Sequence, residues 1–130
     1  APIPAYPYGP ALLYKQSNRG LYGGTRIHFG NNVSKRTETH TRRSWKPNIL
    51  NKSLYSVALR KMVKLRVSAR VLRTIDKSGG LDEYLLKDKE NRVKELGELG
   101  WKLRWRLMQE ESVRERLRLE ALALGLPKEE

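Results

Sequence analysis

All of the excess positive charge in this chain lies in its first part. Residues 1–73 carry 15 Lys and Arg against a single acid, Glu38, a net of +14. Residues 74–130 carry 12 basic and 13 acidic side chains, a net of −1, so the total of +13 comes wholly from the first zone. Like charge raises the self-energy of a compact state, and one glutamate cannot offset it. The densest stretch, "GNNVSKRTETHTRRSWKPN" (residues 30–48), holds five Lys and Arg, one Glu, many hydroxyls and amides and one tryptophan. It offers almost nothing to a core. Such a chain is expected to form a basic body followed by a charge-balanced tail, with a polyanionic partner supplying the missing charge.

Composition narrows the class further. The 130 residues suit one small domain with extensions, and 38% hydrophobic content is low for a self-sufficient globule. There are no cysteines, which excludes disulfides and thiolate zinc sites and leaves His28 and His40 as the only soft ligands. No metal site and no cofactor are expected. No apolar run approaches the roughly 20 residues that span a bilayer, so no membrane insertion is expected. No secretory signal is visible. A start at Ala1 rather than Met leads us to expect that something upstream has been removed.

The head, "APIPAYPYGPALLY", is rich in proline and tyrosine without periodicity and reads as extended chain. It is either a disordered tail or a segment lying against something larger. "TRIHFGNNVS" alternates Ile27 and Phe29 with Arg26 and His28, then reaches Gly30-Asn31-Asn32, which predicts a strand entering a tight turn. "SLYSVALRKMVKLRVS" predicts two further strands, with Val63, Leu65 and Val67 facing one way and Lys64 and Arg66 the other. Ser68 is placed to cap a helix that runs to about Lys77 and closes at Gly79-Gly80. Val71, Leu72 and Ile75 would share its apolar stripe, opposite Arg70, Arg73 and Lys77. From Leu81 onward the pattern is helical, with acid-to-base pairs Asp88/Arg92, Glu90/Lys94, Glu98/Lys102 and Glu110/Arg114. Ser112 to Glu115 matches a capping box, so a last helix is expected from there to about Gly125. The expected fold is α+β. A small antiparallel sheet and a short packed helix form a basic core over 20–86, between an extended tail at 1–19 and a helical extension over 87–130.

Catalysis is not expected, because no nucleophile has a matching base and no phosphate-binding glycine loop is present. His28 and His40 are read as RNA-facing or solvated. The basic zone has a different character. A membrane binder would show a strongly apolar helical face beside its charge. Here Lys35, Arg36, Arg42, Arg43 and Lys46 are interleaved with Asn31, Asn32, Ser34, Thr37, Thr39, Thr41 and Ser44, groups that can bond phosphate oxygens and 2′-hydroxyls, and Asn48 is placed with them on RNA. Arg26, Lys64 and Arg66 extend the basic surface across the strands, and Arg70, Arg73 and Lys77 extend it along the helix. Trp45 either stacks on an unpaired base or anchors the sheet. In the tail, Trp101, Trp105 and Met108 fall on one helical face, predicted either to dock on a neighbouring protein or to fold back on the sheet. Lys102 and Arg104 are expected to be free beside it.

Three motifs in order carry a family resemblance: "GNNVS", "TRRSWKPNIL" and "VKLRVSARVLRTIDKSG". They resemble the bacterial-type large-subunit ribosomal protein twenty-eight family over about residues 20–86. The matching positions are Gly30, Asn31, Val33 and Ser34; Arg42, Arg43, Trp45, Pro47 and Asn48; and Leu65, Arg66, Val67, Ser68 and Arg70. The resemblance implies a non-enzymatic constituent of the large ribosomal subunit on ribosomal RNA near the tRNA exit side. The Cys and Thr-Gly-Lys opening of bacterial members is missing, so no metal is carried over. The added head and tail resemble a fungal mitochondrial member, which implies the mitochondrial matrix and neighbouring mitochondrial ribosomal proteins as partners. No small-molecule substrate and no homo-oligomer are expected. A free RNA- or DNA-binding regulator and an anionic-membrane adaptor working through the tail are the rival readings.

Overall fold

A computed structural model describes residues 3–33, Arg36 and residues 40–125. Four strands, β1 (His28–Val33), β2 (His40–Trp45), β3 (Ile49–Ser56) and β4 (Lys61–Ser68), precede four helices, α1 (Ala69–Ser78), α2 (Leu81–Leu86), α3 (Glu90–Met108) and α4 (Glu111–Ala123). The class is α+β as expected. The strands, however, pair as two separate antiparallel hairpins, β1 with β2 and β3 with β4, rather than as one sheet.

The β3–β4 hairpin is the foundation of the core. On β4 the alternation holds: Leu65 and Val67 are buried while Lys64 and Arg66 are exposed. Leu21 lies along the free edge of β4, where its N–H donates to the Arg66 carbonyl at 2.8 Å and its carbonyl accepts from Ser68 N–H at 3.1 Å. Ser68 then caps α1, its Oγ accepting from Val71 N–H at 3.2 Å while donating to the Tyr22 carbonyl at 3.1 Å. Gly79, at φ 99°, closes the same helix. Val71 and Ile75 are buried, and Arg70, Arg73 and Lys77 face solvent, as the two-stripe pattern predicts.

The helical extension belongs to the same core. Leu81, Tyr84, Leu85 and Leu86 of α2 are buried together with Leu96 and Leu107 of α3 and Val113 of α4. Asp82 ties α2 to the β3–β4 turn, accepting from Ser56 Oγ at 2.7 Å and Ala58 N–H at 2.8 Å. Gly100 brings α3 close, since a Cβ there would lie 3.1 Å from Leu21 Cδ2. α4 is held by Val113 and by Arg116, which reaches Glu83 at 2.7 Å.

Several expectations are corrected. β1 runs straight through Gly30-Asn31-Asn32 instead of turning, because Arg43, Arg42 and Thr41 of β2 pair with those residues in register. Phe29, expected on an apolar face, is 78% exposed, since no described helix and no strand of the other hairpin packs on the β1–β2 ribbon. Ser112 does not cap the last helix, which starts at Glu111. Of the expected helix pairs, Glu90 and Lys94 meet at 3.4 Å, whereas Arg92 turns to Glu95 and to the Tyr84 carbonyl.

α3 breaks at Gly97, at φ 68°. The break leaves carbonyls and an N–H without helical partners, and the head supplies them. Tyr6 Oη donates to the Val93 carbonyl at 2.6 Å and accepts from Gly97 N–H at 3.3 Å. Pro4 O accepts from Trp101 Nε1 at 2.7 Å, and the Tyr6 and Trp101 rings lie 5.6 Å apart. The proline-rich head therefore lies on α3 of its own chain.

Candidate nucleic-acid interface

The β1–β2 ribbon stands outside the core, and the described part of it has no acidic side chain. Directly opposed residues in an antiparallel pair share a face. One face thus carries His28 with Trp45, Gly30 with Arg43 and Asn32 with Thr41. Trp45 lies down over Gly30, where a Cβ would come 2.6 Å from its Cζ3. Arg43 sets its guanidinium 5.1 Å from the ring centroid and donates to Asn32 Oδ1 at 3.2 Å. Trp45 keeps 40% of its surface exposed and takes no part in the core, so the anchoring alternative is set aside. The opposite face carries Phe29 with Ser44 and Asn31 with Arg42.

The second basic surface is the outward side of β3–β4. Register places Asn51 with Arg66, Ser53 with Lys64 and Tyr55 with Met62 there, with Tyr55 and Met62 both more than half exposed. Beside it runs an open groove of about 530 Å³. Arg19, Lys52, Lys64 and Arg66 line it, with Leu99 and Leu103 of α3 as an apolar wall. Arg70, Arg73 and Lys77 continue the basic surface along α1. Arg26 is exposed on the approach to β1, and Arg36 is exposed between β1 and β2. Lys46 and Asn48 are exposed in the link between the hairpins, where the Asn48 carbonyl accepts from Ala69 N–H at 2.9 Å. Ser34, Lys35, Thr37 and Thr39 lie outside the described residues.

Three contributors escaped sequence reasoning. Phe29 followed a strand alternation that predicted burial. Arg19 and Lys52 lack a motif, and only the groove brings them to Lys64 and Arg66. Arg104, expected free at the margin, is 8% exposed and donates to the carbonyls of Leu85 and Lys87 at 3.2 and 2.9 Å. It closes the C-terminal end of α2, and burial pulls its pKa below the ordinary arginine value. Trp101, Trp105 and Met108 are each half-buried. Trp101 is covered by the head, and Met108 packs on the core. Among the described residues, no group of three or more His, Asp or Glu could hold a metal, and no helix is long and apolar enough to cross a membrane.

This geometry defines a small α+β scaffold that displays a basic, aromatic-bearing ribbon and a basic sheet face, with most of its described acids on the helices. The Ribosomal L28 family model matches residues 18–78. The chain is 62% identical over 125 residues to "Large ribosomal subunit protein bL28m" of Neurospora crassa, covering 96% of this chain and 46% of that protein. It is 46% identical over 103 residues to the protein of the same description in Schizosaccharomyces pombe, covering 79% and 57%. To "Large ribosomal subunit protein bL28" of Magnetococcus marinus it is 48% identical over 65 residues, covering 50% and 67%. The chain belongs to the ribosomal L28 family. It spans about half the length of its fungal relatives.

Proposed function

We propose that this protein is a non-catalytic structural constituent of the mitochondrial large ribosomal subunit, in the mitochondrial matrix, which binds large-subunit ribosomal RNA near the tRNA exit side. The observation that carries the reading is the ribbon, whose described residues include no acid and where Arg43, Asn32 and the partly exposed ring of Trp45 share one face. Arginine meets phosphate, the amide meets phosphate or 2′-hydroxyl, and the ring meets an unstacked base. The ribbon residues Asn31, Asn32, Arg36, Arg42, Arg43 and Trp45, together with Ser34 and Lys35 of its connection, make the first RNA contact. Arg26, Lys46 and Asn48 flank it. Lys64 and Arg66 on β4, with Arg70, Arg73 and Lys77 on α1, make the second. The segments divide the work: 20–86 binds RNA, 87–130 completes the core and meets neighbouring ribosomal proteins through the open part of the Trp105–Met108 face, and 1–19 braces the extension. Sedimentation of mitochondrial lysate tests the proposal. The chain is expected in the large-subunit fraction and to leave it at high salt; recovery only as a free protein or on DNA would favour a free regulator instead.

A further inference from the structure

A two-stranded ribbon that packs on a body has one apolar and one polar face. The β1–β2 ribbon has two faces of the same chemistry. Trp45, Arg43 and Asn32 share one, while Phe29, Arg42 and Asn31 share the other, each set an aromatic ring, a guanidinium and an amide. Phe29 is 78% exposed, with no described helix and no strand of the other hairpin packed on its face. Leaving a phenylalanine side chain in water forgoes the free energy of burying it, so free solvent is a poor final state for it. The occupant of its face is anionic, because Arg42 stands in the next pair on that face and no acid stands among the described ribbon residues to neutralise it. A ring beside a guanidinium and an amide suits an unpaired nucleotide, which presents a flat base, a phosphate and a 2′-hydroxyl.

We propose that the ribbon binds two RNA strands at once, one on each face, and so bridges two RNA segments, with Phe29 as the stacking ring of the second face. Packed layers on either side of a sheet lie roughly 10 Å away, which is close enough to tie two strands and too far for one nucleotide to reach both rings. The proposal rests on the RNA reading above and adds a number of strands to it.

The test counts short oligoadenylate strands bound at saturation by the full chain in low salt. Phe29→Ser with Arg42→Ser is expected to lower the number by one, as is Trp45→Ser with Arg43→Ser, and the fourfold variant by two. RNA held elsewhere on the body cancels in these differences. A fourfold variant that loses only one strand, or a Phe29/Arg42 variant that loses none, overturns bridging while leaving RNA binding intact. A wild-type chain that binds no oligoadenylate overturns the RNA reading and bridging together. Melting temperatures should be unchanged, because the ribbon lies outside the core. If a variant loses its fold, ultraviolet cross-linking of the wild-type chain decides. Adducts on both Phe29 and Trp45 in one molecule support bridging, and adducts on Trp45 alone overturn it.

Discussion

Gly30 matters for the side chain it lacks. The indole of Trp45 occupies the space where a Cβ would stand, and the Arg43 guanidinium lies 5.1 Å from the ring centroid. Gly30→Val should lift the ring without touching the core. Base stacking is worth about 1–3 kcal/mol, so RNA affinity should fall by about that amount while the melting temperature stays put. A titration against large-subunit RNA beside a thermal melt checks both halves. Gly23 has the opposite character. It sits at φ 63°, and a Cβ would come 2.5 Å from Val71 Cγ2, deep under α1. Gly23→Ala combines left-handed strain with overpacking and should cost about 1–3 kcal/mol of stability in denaturant unfolding, with little direct effect on RNA contacts.

At the scale of elements, the joints are polar. α4 is fastened by Arg116 to Glu83, and that guanidinium holds the Glu83 carboxyl below its ordinary value of 4.5. A carboxylate whose pKa is depressed by folding adds stability that is present above the unfolded value and lost as pH falls through the folded one. α4 docking should therefore loosen below about pH 4.5, and the hydrogen-exchange protection of the α4 amides, taken relative to the intrinsic rate at each pH, should fall there. Glu83→Gln should remove that pH dependence of the protection. The break in α3 depends on the head in a similar way. Tyr6→Phe leaves the Gly97 N–H and the Val93 carbonyl without their partner. That should cost about 1–3 kcal/mol and free the head to proteolysis near Pro4.

Seen whole, the molecule divides its charge more sharply than its packing. The core of β4 and α1 is completed by Leu96 and Leu107 from α3, so residues 1–77 alone lack part of their own interior. Electrostatic tests therefore need the full chain. Each phosphate neutralised contributes about 0.9 to the slope of log affinity against log salt. Arg70→Glu with Arg73→Glu should flatten that slope by about 2 and weaken incorporation into the subunit, leaving the melting curve nearly unchanged. Ile75→Asp, at a buried position, should instead unfold the chain, because it places an unpaired charge in the core.

What was legible beforehand was local. The partition of charge, the alternation along β4, the Ser68 cap, the two stripes of α1 and the Gly79 stop all depend on residues close in sequence, and all appear in the structure. The three family motifs also lay in the primary sequence. What only the tertiary structure decided involves groups far apart. Tyr6 serves carbonyls 87 and 88 residues away, and Arg104 closes a helix 17 and 19 residues before it. No periodicity announces such pairs. Phe29 shows the same limit: alternation states which residues share a face, but burial requires something to pack on that face. β3–β4 has α1 to α3 over its inner side, and no described helix and no strand of the other hairpin packs on the β1–β2 ribbon.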